Sequence, residues 1–247
     1  MFIAKAAFCD EVSVVLDSVV PLSPSIDPRM RVFNMEQTAI FASMAPHSTV
    51  DEVNARVVPA LTAGADSQRI AMTVLVRADG LVLPPHFVFK GQPGGTVEKE
   101  VQAYVPHPVA TCSVQENAWF DERVMLEWID MSFRPNVCGY SVLLLDTLKT
   151  HKMQSVQDEL GGMGTSVHYV PPGCTGITQP LDVGVMAPLK KHMSQNCAHA
   201  AVLNGLPENS VERRRYMFDQ AMVVLQRVTA DTVRNAFQKV GVTGSIK

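Results

Sequence analysis

Apolar positions in this chain follow two rhythms. Phe8, Val12, Val15, Leu16 and Val19 recur at helical spacing, and Pro21 and Pro24 close that segment. Residues 21–30 (Pro-Leu-Ser-Pro-Ser-Ile-Asp-Pro-Arg-Met) read as a linker. Arg31-Val-Phe-Asn-Met35 then predicts a strand that runs into Glu36, and the small, polar, Pro/Gly-containing stretch from 43 to 68 predicts loop. Ile70 to Val76 is a second strand. Asp79-Gly80 supplies turn chemistry, with Leu81 to Phe89 as hairpin partner; Pro84-Pro85 suits an edge or bulged position there.

Residues 91–95 (Gly-Gln-Pro-Gly-Gly) are a loop, and 121–133 place Val124, Leu126, Trp128, Ile129 and Phe133 as a helix packed on a sheet. Tyr140 to Asp146 predicts the central strand. A helix follows over 152–160, stopped by Gly161-Gly162, and Ser166 to Val170 is the last strand. Beyond Asp182 the chain is helical in character, broken at Asn204-Gly205-Leu206-Pro207. The order predicts an α/β fold, a mixed sheet flanked by helices in which the first and fourth of these strands lie side by side.

Composition narrows the function. Of 247 residues 47% are apolar and 18% charged, enough for a sizeable core and too little charge for disorder. No run approaches the 18 or so uninterrupted apolar residues of a membrane span, and the apolar run at the N-terminus is too short for a signal peptide. Five cysteines (Cys9, Cys112, Cys138, Cys174, Cys197) are scattered and form no C-x-x-C pair, which predicts reduced thiols inside the cell. The net charge is −3, but residues 183–247 carry nine Lys/Arg against four Asp/Glu while residues 1–182 carry twelve against twenty. Lys190-Lys191 and Arg213-Arg214-Arg215 belong to that basic part, as phosphate contacts or as solvated helix faces.

Several chemistries lack their motif. There is no G-x-S-x-G elbow for a covalent hydrolase, and the 91–95 loop has no Lys-Ser/Thr to make it a P-loop. His192, Cys197 and His199 want a fourth ligand at zinc spacing. What stands out is Ser-Val-Leu-Leu-Leu running into Asp146, a buried strand that delivers one carboxylate to the sheet edge. A second carboxylate, Asp182, follows after 35 intervening residues, behind a Pro-Pro-Gly loop. Two carboxylates brought together from separate elements can bind a divalent metal. Singly, Asp146 reads equally as a strand-end charge and Asp182 as a helix N-cap.

The motifs, taken in order, resemble the DDE superfamily of pogo/Tigger/jerky-type transposases. They are Asn34-Met35-Glu36-Gln37-Thr38, Phe89-Lys90-Gly91, Trp128, Leu143-Leu144-Leu145-Asp146 with His151, Pro171-Pro172 with Thr175, and Gln179-Pro180-Leu181-Asp182 with Gly184 and Lys190. The resemblance covers residues 31–193, more weakly to about 242. It implies an RNase H-like catalytic domain over 31–193, preceded by an N-terminal helix and linker (1–30) and followed by a helical C-terminal extension (194–247). It also implies that Glu36, Asp146 and Asp182 are the catalytic and metal-binding residues, holding two Mg²⁺ (or Mn²⁺) ions about 3.5–4 Å apart. DNA as partner, self-association, no membrane and a nuclear location belong to the same implication, with His151 and Lys190 near the site.

Three departures qualify the activity this implies. The family's first acidic residue is Asp, and Glu36 sets its charge one methylene, roughly 1.5 Å, further from the backbone. Misplacement of about 1 Å can cost on the order of 10²-fold in rate. Thr147 replaces the family's Asn, and Val183 its Gln, which puts an apolar side chain beside the expected site. The 30 residues before the first strand leave no room for the family's helix-turn-helix. Two functions follow: metal-dependent DNA cleavage and strand transfer, impaired by Glu36, or a catalytically silent, truncated or domesticated module for nucleic-acid or protein interaction.

Overall fold

The computed structural model describes residues 2–19, 27–44 and 69–242. Most of the loop expected over 43–68 and most of the 21–30 linker fall outside them. Six strands build one sheet: β1 (Val32–Phe41), β2 (Arg69–Arg77), β3 (His86–Lys90), β4 (Thr111–Gln115), β5 (Ser141–Leu145) and β6 (Thr165–Tyr169), in the order β4-β3-β2-β1-β5-β6. β1, β2 and β3 form an antiparallel meander, whereas β5 runs parallel to β1 and β6 parallel to β5. This is an RNase H-like order, with β4 added in parallel beside β3. The first strand and the Tyr140–Asp146 strand are neighbours, as the sequence predicted.

Alternation along β1 splits the core between two faces. Val32, Ile40, Val74, Phe87, Val142 and Leu144 point to one side. That side is covered by α1 (Phe2–Val19), α6 (Met186–Asn204), α7 (Ser210–Leu225) and α8 (Ala230–Val240). Phe33, Met35, Leu75, Val88, Leu143 and Leu145 point the other way, onto α3 (Glu122–Trp128) and α4 (Gln154–Gly162). All five residues of β5 are buried, which explains its unbroken apolar run. Each large side chain buried this completely stabilises the fold by about 1.5–3 kcal/mol.

Helix starts follow the capping rules. Asp121, Asn209 and Thr229 each accept a backbone N–H from the first turn of α3, α7 and α8 respectively. α3 continues as a π-helical turn over Ile129–Phe133, where Trp128 stacks on Phe133 and Phe133 meets Phe33 edge-on. α1 is held at its flanks: Lys5 Nζ donates to the Lys239 carbonyl at 3.0 Å, and Glu11 pairs with His168 of β6 at 2.9 Å.

The sequence reading missed a helix and a strand before α3, and a further short helix, Thr175–Thr178, after β6. The short helix α2 (Thr96–Gln102) follows the 91–95 loop, and β4 fills the gap before α3. β4 is Thr-Cys-Ser-Val-Gln, too short and polar for a periodicity signal. Its hydroxyls are buried because they are paired, Thr111 with His86 and Ser132, and Ser113 with Glu127. Its presence makes β3 an interior strand, so the edge position suggested by Pro84-Pro85 is corrected. Both prolines precede the strand, where no ladder N–H is lost, and the Pro85 carbonyl accepts from Thr111 N. β1 also runs five residues past Glu36, paired with β2 throughout.

Candidate metal centre

Glu36 lies in the middle of β1, opposite Val74 of β2. On the other side β1 pairs with β5 in parallel, with Asn34 beside Leu144, so two residues further along Glu36 is level with Asp146 at the strand tip. Asp182 arrives from elsewhere. After β6 the chain makes the short helix α5 (Thr175–Thr178), then a π-helical turn over Leu181–Val185 that opens into α6. Asn34, fully buried, ties the three segments together: Nδ2 donates to the Leu144 carbonyl at 3.0 Å and Oδ1 accepts the Leu181 N–H at 2.9 Å.

Burial and neighbouring charges shift all three carboxylates, two upward and one downward. Burial pushes the Glu36 carboxyl up from 4.5 to about 8, and the charges of Asp182 and Asp146 push in the same direction; the Gln37 N–H and Lys190 oppose them. Burial also raises Asp182, against the pull of Lys190 and with a further push from Asp146. Asp146 goes the other way. Burial would raise it, but the hydrogen bond from His151, the Leu148 N–H and Lys152 together hold it below the usual carboxylate range. One carboxyl kept protonated beside an ionised one is the electrostatic signature of like charges confined to one site.

Protein hydrogen bonds occupy much of this oxygen set. Gln179 Nε2 donates to Glu36 Oε2, and Gln37 N donates to Glu36 Oε1 at 3.1 Å. His151 Nδ1 lies 2.7 Å from Asp146 Oδ1, which also accepts from Leu148 N. His151 is 2% exposed, and its Nε2 accepts from Gln37 Nε2 at 3.0 Å. Among the described residues no three His, Cys, Asp or Glu side chains form a group able to hold one ion as they stand. In kind the donors fit a hard divalent cation: all are carboxylate oxygens, and a cation would offset the repulsion from Asp182 and Asp146 that adds to burial in raising Glu36. Gln179 already takes up one of the Glu36 oxygens.

Sequence reasoning named the carboxylates, His151 and Lys190, and the structure brings Lys190 within electrostatic reach of Glu36 and Asp182. It assigned no role to Asn34, Gln37 or Gln179, although all three sit inside the motifs it singled out. Val183 packs, half buried, against the apolar core. Gly184 has a packing reason: a Cβ there would meet Ala236 Cβ of α8 at 2.7 Å.

The sheet order, with helices on both faces and carboxylates from β1 and the tip of β5, defines an RNase H-like α/β domain. The sequence profile of the DDE superfamily endonucleases matches residues 67–239, and the chain belongs to that family. "Pogo transposable element with KRAB domain" of Mus musculus and of Homo sapiens are each 21% identical over 227 residues, covering 87% of this chain and 36% of theirs. "Pogo transposable element with ZNF domain" of Homo sapiens is 27% identical over 173 residues, 68% of this chain and 11% of its own length. The chain thus spans about a third or less of these relatives. The crystal structure of the Mos1 strand transfer complex is similar at TM-score 0.49 and 14% identity, over 99% of this chain and 61% of that one. The Mos1 catalytic domain with Raltegravir and Mg gives TM-score 0.42 at 14% identity, over 99% and 94%. Both are likenesses of fold alone.

Proposed function

We propose that this transposase-derived DDE domain binds DNA and carries a divalent-metal phosphoryl-transfer centre whose ligands are Glu36, Asp146 and Asp182, with cleavage weakened by Glu36. Residues 31–193 are the catalytic unit in this reading, and 194–247 extend it. The observation that carries it is the convergence of three carboxylates from three separate chain segments, where burial first and then the charges of Asp182 and Asp146 raise Glu36 to about 8. A pair of Mg²⁺ or Mn²⁺ ions bound there would supply an activated water and stabilise the leaving oxygen. The chain's own groups do the rest. Asn34 fixes the spacing of β1, β5 and the Asp182 turn. His151 orients Asp146 through Nδ1, and Lys190 adds positive charge near Glu36 and Asp182. A nuclear location, DNA ends as substrate and assembly with further copies accord with the family and with the transposon-end complexes of Mos1.

One observation favours a second reading, a silent interaction module. Both Glu36 carboxyl oxygens already accept hydrogen bonds from the protein, from Gln179 and from the Gln37 N–H. Nicking of supercoiled plasmid in Mg²⁺ or Mn²⁺ separates the two, with wild type, Glu36→Asp and Asp146→Ala side by side. Nicking that disappears in Asp146→Ala supports the active centre. Nicking only in Glu36→Asp means a scaffold silenced by one methylene. If none of the three nicks, the module reading takes its place.

A further inference from the structure

The oxygens of Glu36 and Asp146 are not equally engaged. Both Glu36 oxygens accept hydrogen bonds, and Asp146 Oδ1 takes the Leu148 N–H and the His151 ring. Among the described residues nothing donates to Asp146 Oδ2, so it is the oxygen of this pair that meets an ion without giving up a partner. Its direction is set by the bond that His151 makes to Oδ1. That ring is 2% exposed, and its backbone is held at both ends: the His151 N–H donates to the Leu148 carbonyl at 3.1 Å and its carbonyl accepts the Tyr169 hydroxyl at 2.7 Å. What is left to fix is which ring nitrogen carries the proton.

Two neighbours decide it. Nδ1 faces Asp146 Oδ1 at 2.7 Å and the Asp146 carbonyl at 3.4 Å, and an ionised carboxylate and a carbonyl can only accept, so Nδ1 carries the proton. Nε2 faces the Gln37 side-chain nitrogen at 3.0 Å, which can only donate, so Nε2 is bare. Gln37 shares the sheet face of Phe33 and Met35, whereas Glu36 points to the other, as successive strand residues do. Yet the Gln37 N–H donates to Glu36 Oε1 at 3.1 Å. One residue therefore touches Glu36 through its main chain and reaches Asp146 through the His151 ring.

We propose that Gln37 is a positioning residue for the metal centre: its amide fixes His151 in the tautomer that donates from Nδ1, and that bond keeps Asp146 turned with Oδ2 open to the ion. This role rests on the reading of Asp146 as a metal ligand. Without the amide the proton is free to move to Nε2. A bare Nδ1 would then face the carboxylate at 2.7 Å, two acceptors in contact, and Asp146 would turn away. Partners that orient metal ligands in this way are worth about 10–100-fold in affinity.

Two readouts on the whole chain test it. The first is the long-range proton–nitrogen NMR spectrum of the histidine rings, in which the His151 signals are those that vanish in His151→Asn. Wild type should show a protonated Nδ1 and a bare Nε2, and Gln37→Leu should move both signals toward the other tautomer. The second is Mn²⁺ affinity, which Gln37→Leu should weaken about ten-fold or more. In His151→Asn the new amide donates to Asp146 with no tautomer to set, so adding Gln37→Leu there should change the affinity little. Should Gln37→Leu fail to fold, Gln37→Met keeps the length without the amide and takes its place. A wild-type ring protonated at Nε2 or at both nitrogens overturns the proposal, and so does a ring spectrum unchanged in Gln37→Leu. An equal loss of Mn²⁺ affinity in both backgrounds overturns it as well, by making Gln37 a packing residue. If wild type binds no Mn²⁺ the metal centre itself fails, and the ring spectrum alone decides whether Gln37 sets His151.

Discussion

Asn34 and Leu181, 147 residues apart in sequence, are joined by one buried hydrogen bond of 2.9 Å from the Leu181 N–H to the Asn34 side-chain oxygen. The same amide donates to Leu144, so a single side chain sets the distance between the strand carrying Glu36, the strand that ends at Asp146 and the turn that carries Asp182. Asn34→Ala leaves a buried N–H and a buried carbonyl without their partner, each worth about 1–3 kcal/mol. We expect a loss of at least about 2 kcal/mol in urea unfolding at pH 7, with the helices still formed by circular dichroism. A change within experimental error would mean that the three segments are held by packing alone.

Glu36 makes stability fall as pH rises. In the unfolded chain the carboxyl ionises near 4.5, in the fold near 8. Between those values the folded protein holds the extra proton, so the stabilisation is complete below 4.5 and is lost as pH climbs to 8. The slope reaches at most about 1.4 kcal/mol per pH unit. Asp182, also raised, adds to it with the same sign, whereas Asp146, lowered, acts only in more acidic solution. Urea midpoints measured from pH 5 to 8 should decline for wild type, and Glu36→Gln should flatten most of that decline. An equal slope in both proteins would place the proton elsewhere.

Much of this was legible in the chain because burial writes itself into sequence where it is apolar. β5 is five buried residues in a row, and α3 shows its packed face through Val124 and Trp128. β4 was not legible, since Thr111 and Ser113 are buried by pairing with polar partners that come from β3 and α3. The site shows the same division. Asp146 and Asp182 announce themselves as charges against apolar surroundings. Asn34, Gln37 and Gln179 are uncharged, and their roles arise from partners more than a hundred residues away.

Gly184 sits two residues after Asp182, where the turn touches α8. A Cβ at this position would lie 2.7 Å from Ala236 Cβ and 3.2 Å from its Cα, so backbone must shift. Because Ala236 is 1% exposed and on a regular helix, the turn is the part that yields. Gly184→Ala should destabilise by about 1–3 kcal/mol, as overpacking does. Paired with Ala236→Gly, which removes the opposing methyl, the double variant should regain most of it. If the double variant is no more stable than Gly184→Ala, the close approach is not the cause.

Protons and metal should compete at the carboxylates. A ligand must be ionised to coordinate, and Glu36 at about 8 is mostly protonated at neutral pH. Binding of Mn²⁺ to the whole protein, followed by its relaxation signal, should therefore tighten about ten-fold per unit from pH 6 to 8 and level off above. Glu36→Gln should bind more weakly at pH 8 yet vary little with pH, because the group that competes is gone. Asp146→Asn should weaken binding at every pH, since Asp146 is already ionised across this range. A wild-type affinity independent of pH would exclude Glu36 from the coordination set and leave Asp146 and Asp182 as the pair that holds the ion.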